Sequence, residues 1–269
     1  MTGPVAARLP DGRLHLQHGP IDLIVEAFGP GAGDAERRSA ARFRTILEEL
    51  VEELPALRRP ARSELKGPTA RRMAAAVNRF EGVFVTPMAA VAGAVADEIL
   101  NALTPADITR AYVNNGGDVA FHLTPGEAVE AASPTGPIVI AFEDRPRGLA
   151  TSGWRGRSHS LGIADAVTVA ARNAASADVA ATLIANAVDL PGHPAIRRER
   201  ATDLAPDSDL GDRLVTTDVG PLSDAEIDQA LGRGAARAQA YADRNFIDQA
   251  TLTLAGRTLH IARKTLIHA

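Results

Sequence analysis

The stretch ITRAYVNNGGDVAFHL, residues 108–123, decides the fold. Apolar residues between 43 and 54 recur every third or fourth position, the spacing of a buried helical stripe. Here the period becomes two, the alternation of a strand. In its middle, VNNGGDV (113–119) gathers the ordinary turn formers, so two strands with a hairpin or bulge between them is the local reading. Working outward, PMAAVAGAVADEILNAL (87–103) precedes it as a helix. Gly93 sits there among alanines, where a missing side chain admits either a close helix neighbour or a ligand. TARRMAAAVNRF (69–80) is a shorter helix. A longer one from about Asp34 carries Phe43, Ile46, Leu47, Leu50, Val51 and Leu54 on one face and stops before Pro55. RLHLQHGPIDLIVEAFG (13–29) is a strand pair around Gly19-Pro20.

Downstream, PIVIAFED (137–144) and AVTVAA (166–171) are further strands, followed directly by a helix over SADVAATLIANAV (176–188). PGHPAIRRERATDLAPDSDLGD (191–212) is polar and broken by proline, which predicts a long loop or flap. Ser223 and Glu226 have the spacing of a capping box, so a helix begins there. ATLTLAGRTLHIAR (250–263) closes the chain as a hairpin turning at Ala255-Gly256. No glycine fingerprint follows a first strand and the βαβ alternation is absent, which excludes a Rossmann reading. The expectation is an α+β fold: a mainly antiparallel or mixed sheet with packed helices, as one domain over 1–269 or two intertwined α+β halves, about 1–105 and 106–269.

Of 269 residues, 45% are hydrophobic, 23% charged and 4% aromatic, so the core must be built from Ala, Val, Leu and Ile. Net charge is −4 and Lys66 and Lys264 are the only lysines, which argues against a nucleic-acid surface. The absence of cysteine excludes disulfides, thiolate metal sites and cysteine nucleophiles. The start lacks a signal-peptide pattern and no apolar run approaches a membrane span, so a soluble cytoplasmic protein is expected. The alanine-rich helices are candidates for a homodimer interface.

Three segments carry candidate chemistry. In the first, Asn115, Gly116, Gly117 and Asp118 either form an ordinary turn or bring backbone N–H groups and a carboxylate to a ligand. In the second, LATSGWRGRSHSLGIADAV (149–167), a hydroxyl-rich turn of Thr151, Ser152 and Gly153 with Arg155, Arg157 and His159 has what an anionic ligand requires. His159 could serve there as a general base. In the third, Asp178 and Thr182 stack one turn apart on the helix. Ser176 or Asp178 would cap the helix N-terminus, or the pair would offer hard oxygens to Mg²⁺.

In their order along the chain, the PMAAVAGAVAD helix, NNGGD, ATSG, a histidine and AD followed by Thr at the fourth position resemble the ApbE superfamily. Its best-known members are FAD:protein FMN transferases, and the likeness is strongest to a cytosolic branch rather than to exported lipoproteins. The resemblance implies an ApbE-like α/β roll, Mg²⁺ bound by Asp178, Thr182 and the backbone carbonyl near Ala89, and FAD as substrate or ligand. Asp118 and Thr151 to Gly153 would lie along the dinucleotide, and Asp97, which matches an acid that closes the family's first site helix, would join the cofactor-binding residues. His159 would be the base for a Ser or Thr hydroxyl of an acceptor protein. The pattern departs at Ala92, where the transferases have lysine, and after His159, where their aspartate-proline-threonine-glycine turn is missing. An early serine-glutamate motif survives only as Ser63-Glu64. Two functions therefore follow from the resemblance, a diphosphate-cleaving or FMN-transferring enzyme and a non-catalytic flavin or nucleotide carrier; a third, from outside it, is a cofactor-biosynthesis enzyme acting on another phosphorylated heterocycle.

Overall fold

The computed structural model describes residues 3–60, 64–104 and 107–263; Ser63 and Lys264 lie outside them. One nine-stranded sheet organises the molecule. Its strands are β1 (Val5–Arg8), β2 (Leu14–His18), β3 (Ile21–Phe28), β4 (Arg110–Asn115), β5 (Asp118–Leu123), β8 (Gly148–Ser152), β9 (Ala166–Ala171), β12 (Gln249–Leu254) and β13 (Arg257–Ala262). They lie side by side in chain order, and every neighbouring pair is antiparallel. This is the α+β fold expected from the change of period at residue 108.

The excursions between strands supply the other layers. Between β3 and β4 come α1 (Ala32–Glu52), the one-turn α2 (Leu54–Leu57), α3 (Pro68–Val77), a 3₁₀ turn over Pro87–Ala90, and α4 (Val91–Leu103). Between β9 and β12 come α5 (Ala174–Ala187), the strands β10 (Ile196–Arg200) and β11 (Leu214–Val219) flanking the short α6 (Ala201–Leu204), and α7 (Asp224–Asp243). Helices α1, α4, α5 and α7 pack along β2–β3, β4–β5, β8–β9 and β12–β13 respectively. Alternate strand residues such as Leu16, Leu23, Val113, Ala120, Val169 and Leu252 bury into that helical layer. The intervening residues Val119, Phe121, Leu123 and Leu149 face the opposite side, where a hairpin of β6 (Ala128–Ala131) and β7 (Ile138–Ala141) covers them with Val129 and Ile140. A period of two with both faces apolar is what a strand needs when it is covered on both sides.

Three expectations change. PIVIAFED does form a strand, β7, but it pairs only with β6, outside the main sheet. The segment 191–212, expected as a loop or flap, holds β10 and α6 and pairs through β10 with β11 to make an arm. Its strands cover no apolar core with a regular face, and a bulge between Arg197 and Arg198 breaks the register, so no alternation marks it. Thr151 and Ser152, expected in a turn, end strand β8.

Candidate functional site

Helices α4 and α5 meet head to head, and each is capped by an acid from the other. The first N–H groups of a helix have no partner within it. In α5 the Asn173 side chain accepts from Ser176 N at 2.8 Å, while both oxygens of Asp97, from α4, accept from Ala174 N and Ala175 N at 3.0 Å. In return Asp178, from α5, accepts from Gly93 N at 3.0 Å and from Ala92 N at the start of α4. Neither Ser176 nor Asp178 caps its own helix, contrary to one expectation; Asn173 does. The approach is so close that a Cβ on Gly93 would fall on the carbonyl of Ala174 and within 2.7 Å of Ala175 N. That contact is the reason for glycine at 93.

A cleft of about 650 Å³ opens beside this junction. Asp178 and Thr182 enter it from α5, Ala89 and Ala92 from the 3₁₀ turn and α4, and Asn115, Gly116 and Asp118 from the β4–β5 hairpin. Thr151, Ser152 and Gly153 reach it from the end of β8, and His159 from the loop that follows. Two of the expected residues stand apart. Gly117 is not in the wall; its N–H is donated to Asn114 Oδ1 at 2.8 Å, closing the turn. Asp97 faces away from the cleft, because its oxygens are committed to the head of α5.

The electrostatic centre of the cleft is a pair of carboxyls. Asp118 is 7% exposed, accepts from Thr151 N at 3.3 Å and touches Asp178. Burial pushes its carboxyl up to about 7. Burial, and then the neighbouring charge of Asp118, raise Asp178 well above the ordinary carboxylate range. Two acids at one place cannot both ionise cheaply without a cation between them. Among the described residues no group of three or more His, Cys, Asp or Glu is placed to share a metal ion. The available donor set is therefore two carboxylates, the Thr182 hydroxyl and backbone carbonyls. Such a set of hard oxygens suits Mg²⁺, which usually takes one or two carboxylates and keeps other positions for water and phosphate.

The remaining walls divide into occupied and free groups. Asn115 Nδ2 donates to the carbonyl of Ala92 at 3.0 Å, fixing the hairpin to α4. The Thr151 hydroxyl bonds that of Thr168 at 2.9 Å, so it is Thr151's backbone N–H that serves the site. Arg155 Nε donates to Asp165 Oδ1 at 2.6 Å and its guanidinium stacks 4.6 Å over Trp154, leaving it anchored. Arg157 makes no ion pair among the described residues, and its charge reaches Asp118. The guanidinium lies over Gly116, whose positive φ of 64° and lack of side chain make room for it. His159 is exposed on the cleft rim. Ser208, Asp209 and Leu210 of the β10–β11 arm complete the wall, with Asp209 accepting from the Thr86 hydroxyl. The sequence reading missed these three; the acids of PDSDLGD, just before β11, were the available signal.

The sheet, the head-to-head helices and the paired-carboxylate cleft define an α+β protein with a polar, ligand-sized site at the junction of two helices. A family model described as AbpE bacteria matches residues 6–260, and the chain belongs to that family, within the ApbE-like superfamily. Similar curated proteins are UPF0280 proteins of archaea. That of Methanothrix thermoacetophila is 39% identical over 127 residues, 45% of this chain and 52% of that one. That of Methanopyrus kandleri is 33% identical over 195 residues, 69% of this chain and 78% of that one. That of Methanococcoides burtonii is 34% identical over 192 residues, 68% of this chain and 79% of that one. The match thus spans about half the length of the first of these relatives and about four-fifths of the other two. A crystal structure of the apo form of the Pseudomonas stutzeri flavinyl transferase ApbE aligns over 97% of this chain and 96% of that one, at 11% identity and a TM-score of 0.46. Among the described residues no helix is long and apolar enough to cross a membrane.

Proposed function

We propose that the cleft binds FAD, or a closely related dinucleotide, together with Mg²⁺, and that it acts at the diphosphate to transfer FMN to a Ser or Thr hydroxyl of an acceptor protein. The observation that carries this reading is the convergence of Asp178, Thr182 and Asp118 from two helices' junction and a hairpin, in a chain of the AbpE bacteria family. Asp178 and Thr182 would hold the ion, with the Ala89 carbonyl on the facing turn and Asp118 beside them. Mg²⁺ bound there would supply charge stabilisation at a phosphoryl oxygen.

The chain's own groups account for the rest. Arg157, which makes no ion pair among the described residues, would grip a phosphate oxygen through its guanidinium fork. Gly116, Ser152 and Gly153 would position the dinucleotide along the cleft, while Asn115 and Thr151 hold the walls through their own hydrogen bonds. His159 would accept the proton of the acceptor hydroxyl as its oxygen bonds to the FMN phosphorus and the bond to AMP breaks. Its place on the open rim suits a base that must meet a second protein.

The carrier reading has one feature in its favour. Ala92 lines the cleft where the resemblance places a lysine in the transferases, so a cation near the ligand is missing while the binding walls remain. Incubation with FAD and Mg²⁺ followed by chromatography separates the two. Release of AMP by the wild type and its loss in Asp178→Asn supports transfer or cleavage. A yellow ligand held unchanged supports the carrier. Neither binding nor turnover removes both and leaves another phosphorylated heterocycle as the substrate class.

A further inference from the structure

A second hollow, of about 280 Å³, lies at the head of α5, between the C-terminal half of α4 and the far end of β5. Asp118 opens β5 and His122 lies four residues further on, about 13 Å at the rise of a strand, so this hollow is separate from the cleft. Its polar wall carries three guanidinium groups, from Arg72, Arg147 and Arg172, against one acid, Asp97, with His122, Asn101 and Asn173 beside them. The acids nearby are already committed. Asp97 bonds two backbone N–H groups, and Glu98 accepts from Arg42 at 2.9 Å and from Arg72 at 3.1 Å. Arg147 is fixed by the carbonyls of Phe142, Asp144 and Pro146 and makes no ion pair among the described residues.

Arg172 is exposed and makes no hydrogen bond or ion pair among the described residues. Behind it, Arg79 and Arg244 both stack on Phe246, at 4.6 and 4.2 Å from the ring centre. Burial, and then the charges of Arg172 and Arg244, hold Arg79 below the ordinary arginine range. Guanidinium groups held this close repel one another, and an anion among them relieves the repulsion. Such a concentration of positive charge does not follow from composition, since the chain carries a net −4. The helix terminus does not make this site, because Asp97 and Asn173 take the first N–H groups of α5.

We propose that this hollow is a second ligand site that takes a phosphate group, gripped by Arg172 and flanked by His122, Asn101 and Asn173. A guanidinium fork matches phosphate oxygens in a bidentate pair. The volume lies just under the ~300–1,000 Å³ of common ligand pockets, which fits a phosphate on a small organic body rather than a dinucleotide.

The test is a titration of the intact chain with inorganic phosphate at low ionic strength, read by calorimetry. Carrying it out in Arg157→Gln removes the free guanidinium of the cleft. Saturable binding should persist there and weaken by about 10-fold or more when Arg172→Gln is added, the loss expected for a charge-assisted hydrogen bond. Because Arg172 is exposed, the variant should keep the parent's melting temperature. Binding that vanishes with Arg157→Gln alone, or that Arg172→Gln leaves unchanged, would overturn the proposal. So would acetate saturating the site as tightly as phosphate.

Discussion

Asp97 and Asp178 make the same kind of contact in opposite directions across the α4–α5 junction. Each is a buried or half-buried acid that caps the partner helix. They differ in what lies on the other side. Asp97 gives both oxygens to Ala174 and Ala175 and is 6% exposed. Asp178 bonds the start of α4, meets a second acid in Asp118, and opens onto a 650 Å³ cleft with Thr182 one turn away. Burial and a perturbed carboxyl therefore do not separate structure from function here, since both acids have them. A second carboxyl in direct contact does, since Asp97 also adjoins a hollow but has no acid against it.

The largest disruption should come from removing the closeness that both acids depend on. Gly93→Ala drives a Cβ into the backbone of Ala174, and overpacking of this kind costs about 3 kcal/mol or more where backbone must move. Melting temperature and Mg²⁺ binding should fall together. A folded variant with intact Mg²⁺ binding would contradict the geometry. Next, Asp97→Ala leaves two helix N–H groups without acceptors, about 2–3 kcal/mol and roughly a 5–10 °C loss in melting temperature for a chain of this size. Mg²⁺ binding by the refolded protein should survive, and its loss would move Asp97 from scaffold to site.

A smaller effect is a dependence on pH. Burial raises the Asp97 carboxyl from 3.8 to about 6, so the native state binds the proton more tightly than the unfolded chain. This contribution to stability is whole below about pH 4 and is lost as pH rises through about 6. Asp97→Asn should flatten that part of the melting-temperature profile. An unchanged slope would mean the charge on Asp97 is compensated in the fold. The smallest change in stability is expected from Asp178→Asn. The amide oxygen can still accept from Gly93 and the amide nitrogen can donate to Asp118, so the melting temperature without metal should stay level or rise. A marked fall would make Asp178 another Asp97, a cap and nothing more.

Much of this was readable along the chain, for physical reasons that also explain the failures. The hairpin at 113–119, the capping box of Ser223 and Glu226, and the stripe of α1 through Phe43, Ile46, Leu47 and Leu50 depend on local chemistry and were visible locally, although Val51, expected in that stripe, is exposed. The family motifs placed Asn115, Asp118, Thr151, His159, Asp178 and Thr182 along the sequence, and the fold brings them to one cleft. The exchange of caps between α4 and α5 was not legible, because it depends on which backbone lies opposite each acid. Hence Asp97 was expected along the ligand and stands at a helix head. Strand β1 has every residue exposed and the β10–β11 arm buries no regular face, so neither carries an alternation to read.

The central claim is that Asp118 and Asp178 form a cation site rather than a pair of structural acids. Calorimetric titration of Mg²⁺ into the metal-free chain tests it most directly, with Asp118→Asn and Asp178→Asn as partners to the wild type. The account predicts one saturable site in the wild type, absent from both variants while their melting temperatures hold. Equal Mg²⁺ binding by all three proteins, or none by any, would contradict it.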